Sequence, residues 1–162
     1  MEQNTVSFQE LYERYAPDVY RFSYWLSGNQ EDAKDITSET FVRIWTSDAE
    51  TRSETVKAYL FTIARNLYLH QKRKMSRLSP ITEEIEDRAQ QPDTSTEDRS
   101  ELDQTMAALQ QLPELDRTLI LLRARDELPY DEIATMTGLT VSAVKVKVFR
   151  ARAKLSLLTS HH

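Results

Sequence analysis

The chain has 162 residues, 40% of them hydrophobic, with a formal net charge of −5, a pI near 5.3 and no cysteine. Without cysteine there are no disulfides, no thiol catalysis and no thiolate metal sites; no run approaches the roughly 20 apolar residues of a membrane span, and the acidic start MEQNTVSFQE lacks the cationic and apolar parts of a secretory signal. The only glycines, Gly28 and Gly138, argue against a phosphate-cradling loop and against a hairpin-rich sheet, so the expectation is an intracellular, cytoplasmic, all-α protein.

From Phe8, the apolar residues Leu11, Tyr12, Tyr15, Val19, Phe22 and Leu26 recur at spacings of three and four, the period of one helix face. Pro17 either kinks this helix or starts a second one. Gly28 stops the run and Asn29 is placed to cap the next helix, whose stripe is Ala33, Ile36, Thr37, Thr40, Phe41 and Ile44. A polar loop from Thr46 to Thr55 leads to a third helix buried through Val56, Leu60, Ile63, Ala64 and Leu67. That helix ends in the basic run QKRKMSR.

Charge then marks a seam. Residues 1–78 carry eleven acids and eleven bases, residues 79–103 nine acids and two bases, and residues 104–162 six acids and eight bases. The middle stretch SPITEEIEDRAQQPDTSTEDRSELD is rich in acid, Pro, Ser and Thr and poor in aromatics, so it reads as a flexible acidic linker joining two small helical domains. An acidic helix over ITEEIEDRAQQ, docked on one domain, is the alternative.

Four helical patterns follow. Leu102, Met106 and Leu109 mark the first, and Leu115, Leu119 and Leu122 the second, with Pro113 between them. PYDEIATM starts on Pro129, and Thr137-Gly138-Leu139 makes a tight turn. In the last pattern, GLTVSAVKVKVFRARAKL, the valines alternate as in a strand. Val148 and Phe149 stand side by side, however, and Val141, Val144, Val148, Ala151 and Leu155 repeat at three and four behind an N-cap at Thr140, so the segment is a helix. A short helix, a glycine turn and a second helix form a helix-turn-helix, whose second helix lies in the DNA major groove.

Opposite the buried stripe, Ser142, Lys145, Val146 and Phe149 share the face such a helix offers to base edges. The two apolar side chains suit thymine methyls, and Lys145 can donate to guanine acceptors. Lys147, Arg150 and Lys154 flank that face and suit phosphates. A basic solvated face with Phe149 in a protein interface is the plainer alternative. Asp35 and Glu39, one turn apart, are a solvated or interface face rather than a metal site, since no histidine joins them; no metal or other cofactor is expected. No nucleophile, base and oxyanion donors converge, so no catalytic residue is assigned. The terminal His161-His162 reads as a tag remnant.

The stretches FQELYERYAPDVYRFSYWLSGNQEDAKDITSETFVRIW, KAYLFTIARNLYLHQKRK and LQQLPELDRTLILLRARDELPYDEIATMTGLTVSAVKVKVFRARAKL together resemble an extracytoplasmic-function (ECF) sigma factor of bacterial RNA polymerase. The resemblance implies sigma domain 2 over residues 6–79, a linker over 80–102 and sigma domain 4 over 103–160. It implies base contacts to the −35 promoter element from Lys145, Val146 and Phe149, and backbone contacts from Thr140, Ser142, Lys147 and Arg150. Val146 departs from the small polar residue often found there. The second helix would dock on core RNA polymerase through Asp35, Glu39, Thr40 and Arg43.

Arg65, Asn66, Lys72, Arg73, Lys74 and Arg77 would hold the single-stranded −10 element, with a flipped base in the loop from Thr46 to Thr55; the basic cluster alone is also an ordinary charged helix end. The resemblance further implies promoter recognition within holoenzyme and restraint by an anti-sigma factor. The acidic linker, competing with phosphate for the basic helices, should make the free protein a poor DNA binder. Two other classes stay open on the residues alone: a self-sufficient helix-turn-helix repressor, and a helical adaptor with no nucleic-acid role.

Overall fold

The computed structural model describes residues 7–46, 56–78 and 97–159, and among these every regular element is helical. Helix α1 spans Phe8–Ser27, α2 Gln30–Thr46, α3 Val56–Leu78, α4 Glu97–Gln111 and α5 Glu114–Ile120, which runs on as a π-helical turn over Leu121–Arg125. Then come α6, Tyr130–Thr137, and α7, Val141–Thr159. None of these is long and apolar enough to cross a membrane.

Local chemistry sets the helix ends. Ser7 and Glu10 form a reciprocal capping box at the start of α1, and Gly28 closes it in the left-handed region with φ 72°, its N–H bonding to Tyr24 O. Asn29 Oδ1 then accepts from Asp32 N at 2.8 Å to cap α2. Pro17 does not start a second helix. The helix runs through it at an exposed position, where the missing N–H leaves the carbonyl four residues back without its helical donor.

The first three helices form one lobe around Val19, Phe22, Leu26, Ile36, Leu60, Phe61 and Ala64, all fully or almost fully buried. Phe22 and Phe61 stack across it at 4.7 Å between centroids. The later helices form a second lobe that buries Leu109, Leu112, Leu119, Leu122, Ile133, Val144, Val148 and Ala151, and the apolar core runs on continuously from the first lobe into it. Two sequence expectations shift here. Helix α4 already runs from Glu97, through part of the stretch read as linker; Leu109 is buried as expected and Met106 half-buried, but Leu102 is exposed at 56% and Ala108 is buried beside Leu109. Residues 79–96, including the segment weighed as a docked acidic helix, lie outside the described residues.

Beside this shared apolar core, a seam of polar bonds also joins the two lobes. Arg117, only 5% exposed, donates from Nε to Leu26 O at 2.9 Å, from one terminal nitrogen to Leu112 O at 2.8 Å and from the other to the Tyr68 hydroxyl at 3.0 Å. It thereby bonds to the last turn of α1, the residue just past the end of α4 and the middle of α3. Nearby, Gln110 Nε2 donates to Trp25 O at 2.9 Å. Glu114 takes Arg65 through two hydrogen bonds of 2.6 and 3.0 Å and the Thr118 hydroxyl through a third of 2.6 Å.

Candidate functional site

The helix-turn-helix is built by α6 and α7. Gly138, with φ 77°, lets its own N–H and that of Leu139 return to Ala134 O at 2.8 and 3.1 Å, so the chain reverses within one turn. Thr140 Oγ1 accepts from Ala143 N at 3.0 Å and caps α7, as the sequence predicts. Val144, Val148 and Ala151 are buried against the lobe; Val141, at 37% exposed, sits at the rim of that stripe and not inside it.

On the opposite side Ser142, Lys145, Val146, Phe149 and Arg150 are exposed, with Val146 at 46% and Phe149 at 75%, while Lys147 is half-buried. The apolar pair is thus unpartnered, and cations lie on both sides of it. Lys145 Nζ lies 5.4 Å from the centroid of the Tyr130 ring, which also carries the Arg123 guanidinium at 4.2 Å. Between Tyr130 and α7 opens a cleft of about 410 Å³, walled by two rings and by Lys145 and Arg152.

On α2, Asp35, Glu39 and Arg43 are exposed together, and Glu39 pairs loosely with Arg43 at 3.7 Å. Thr40 does not share that face. It is fully buried and its hydroxyl donates to Ile36 O at 2.7 Å, because its position falls on the apolar stripe of the helix, between Thr37 and Phe41. A partner docking on α2 meets Asp35, Glu39 and Arg43 without Thr40. Residues 47–55, where a base pocket is expected, and His161-His162 lie outside the described residues.

Along α3, Asn66, Lys72, Arg73, Lys74 and Arg77 are exposed and available to a polyanion. Arg65 is not: its side chain is 17% exposed and its guanidinium is held by Glu114 of the other lobe. Burial alone would push the Glu114 carboxyl up, but hydrogen bonds from Arg65 and Thr118, with the charges of Arg65 and Arg117, outweigh it and hold the carboxyl below the usual carboxylate range. In this arrangement Arg65 is a seam residue.

Sequence reasoning also missed Arg117, Glu114 and Asp126. The Asp126 side chain, 10% exposed, has Oδ1 3.9 Å from Lys57 Nζ and an Oδ2 without a hydrogen-bond partner among the described residues. Burial pushes its carboxyl up to about 6 from 3.8, more than the charges of Lys57 and Arg125 pull it down. Lys57 reaches too far to offset the desolvation, and it also serves Asp18 at 3.8 Å. The sequence carries one usable signal for Arg117: a cation directly between the apolar positions of α5.

Comparison with known proteins agrees with this geometry. Residues 11–78 match the family described as Sigma-70 region 2, and residues 102–155 match Sigma-70, region 4. The ECF RNA polymerase sigma factor EcfG of Rhodopseudomonas palustris is 32% identical over 151 residues, covering 88% of this chain and 79% of that protein. The ECF RNA polymerase sigma factor SigE of Mycolicibacterium smegmatis is 34% identical over 161 residues; the alignment takes in 96% of this chain but spans only 63% of that protein's length. Among solved structures, the sigma factor RpoE in complex with the anti-sigma factor NepR, from Bartonella quintana, shares the fold with TM-score 0.72, at 24% identity over 95% of this chain and 97% of that one.

Proposed function

The chain belongs to the ECF sigma factors of RNA polymerase, and from that premise we propose how its surfaces divide the work of starting transcription at a promoter. The observation that carries the proposal is the face of α7, where Lys145, Val146 and Phe149 stand exposed between cations on a helix capped and turned as a recognition helix. Residues 103–160 act as sigma domain 4. Lys145, Val146 and Phe149 read base edges of a double-stranded −35 element, and Thr140, Ser142, Lys147 and Arg150 hold its phosphates.

Residues 6–79 act as sigma domain 2. The face made by Asp35, Glu39 and Arg43 docks on core RNA polymerase. Asn66, Lys72, Arg73, Lys74 and Arg77 track the single-stranded −10 element, and Arg65 joins them only where Glu114 releases it. Holding a melted strand requires stacking, pockets and cations; the phosphoryl chemistry is the polymerase's, so the chain is a transcription regulator with no reaction of its own. Its restraint falls to an anti-sigma factor, in keeping with the partner bound to the solved protein of the same fold.

Run-off transcription tests the proposal, using core RNA polymerase with and without the chain on a pool of promoter DNA. Expected are start sites that depend on the chain and vanish with Asp35→Arg plus Glu39→Arg. Initiation that survives this charge reversal would remove α2 as the docking helix. No chain-dependent initiation, from a core enzyme active with a control sigma factor, would overturn the reading.

A further inference from the structure

Among the described residues, Lys145 is the cation on the exposed face of α7 that also touches an aromatic ring, and that ring is itself fixed. Tyr130 opens α6 directly after Pro129 and is half-buried. The Arg123 guanidinium packs over it at 4.2 Å while donating to Leu128 O at 3.1 Å, which ties the ring to the π-helical turn that ends α5. On this anchored ring Lys145 Nζ rests at 5.4 Å. A free lysine samples many rotamers and loses them on binding; a lysine held at a ring has lost part of that freedom already. An ammonium has three N–H donors, so the side turned to the ring leaves others free for acceptors in the groove.

We infer that Tyr130 is a positioning residue for promoter recognition, holding Lys145 so that it discriminates at one base pair of the −35 element. This rests on the assignment of Lys145 as a base-reading residue. Tyr130 touches no base in this scheme and acts through the lysine. An exposed cation–π contact is worth about 0.5–1 kcal/mol, so its loss should lower discrimination at that base pair about two- to fivefold.

The test uses holoenzyme assembled from core polymerase and the full chain, competing for promoter DNAs substituted at each −35 base pair. The variants are Lys145→Ala, Tyr130→Leu, Tyr130→Phe and the double change Lys145→Ala with Tyr130→Leu. Lys145→Ala should flatten the preference at one base pair. Tyr130→Leu should flatten the same one, about threefold, while Tyr130→Phe keeps the ring and the preference; in the Lys145→Ala background Tyr130→Leu should change discrimination no further. A purely structural tyrosine would weaken every promoter alike and leave the ratios unchanged, which would overturn the inference, as would additive effects in the double variant. If Lys145→Ala itself flattens nothing, the base-reading assignment fails and takes the inference with it; if Lys145→Ala acts and Tyr130→Leu does not, the inference fails alone.

Discussion

Replacing Asp126 by asparagine should stabilise the protein at neutral pH although it removes an ion pair. The carboxylate sits in the seam, 10% exposed, with Oδ2 unpartnered among the described residues and Lys57 no nearer than 3.9 Å. Lys57 and Arg21 reach it from α3 and α1, Arg125 from its own turn, and Asp18 on α1 opposes them. Its carboxyl titrates near 6 in the folded protein against 3.8 as the reference value, so the folded state favours the protonated form.

Stability from this group is therefore fully present below pH 4, declines as pH rises through 6 and is gone above it. A shift of that size corresponds to about 3 kcal/mol at most, and partial solvent contact reduces this to about 1–2 kcal/mol. The amide introduced by Asp126→Asn carries no charge to desolvate and keeps the volume. Urea unfolding of both proteins between pH 4 and pH 8 should show the variant more stable by about 1–2 kcal/mol at about pH 7.5, and thermal unfolding a melting temperature about 2–8 °C higher. The difference should close towards pH 4. A variant less stable at about pH 7.5, by an amount that closes towards pH 4, would mean that the Lys57 contact outweighs the burial, and would refute the reasoning.

Arg117→Ala should cost about 3 kcal/mol in urea unfolding, because it strands three acceptors and empties a buried volume at the junction of α1, α3 and α4. The two glycines separate strain from crowding. Gly138→Ala places its new Cβ in open space and bears only the cost of the left-handed backbone, about 1 kcal/mol. Gly28→Ala puts Cβ 3.0 Å from Gln110 Cδ, whose amide is tied to Trp25 O, and should cost about 2 kcal/mol or more by the same measurement. Lys147→Ala and Arg150→Ala should each weaken holoenzyme binding to all promoters alike and reduce the salt slope by about one, measured by titration across salt concentrations.

Periodicity and punctuation made much of the fold legible. The spacings that buried Val144, Val148 and Ala151, the caps at Asn29 and Thr140 and the stops at Gly28 and Gly138 all act within a turn or two of the residues that encode them. Thr40 shows the limit of that reading, since helical phase set it on the apolar stripe while family likeness set it on the docking face. Phase prevailed because the hydroxyl satisfies itself on Ile36 O and needs no water.

Arg117, Glu114 and Asp126 were opaque for a different reason. Their partners stand up to 91 residues away, and the place of Arg117 between apolar positions, the one local signal, marks burial without naming the partners. The Arg65 pair was opaque in the same way: its neighbours Asn66 and Lys72 to Lys74 pointed to a polyanion, and nothing local pointed to the carboxylate on α5 that holds it here.

That carboxylate gives the seam a chemical logic. Glu114 offers Arg65 two oxygens in the fork geometry that a phosphate would offer, already desolvated and held ionised below the usual carboxylate range. A nucleic-acid strand entering along α3 has Lys72, Arg73, Lys74 and Arg77 open to it, but it must replace two short hydrogen bonds to gain Arg65. On the proposed assignment of these cations to the −10 strand, the strand and Glu114 compete for a single guanidinium, which cannot serve both in full. Replacing Glu114 by glutamine leaves the shape and removes the charge. Affinity of the holoenzyme for single-stranded −10 DNA should then rise, most at low salt, and fall back when Arg65→Ala is added. An equal rise in the Arg65→Ala background would show that Glu114 acts on the strand by general repulsion and not through that pair.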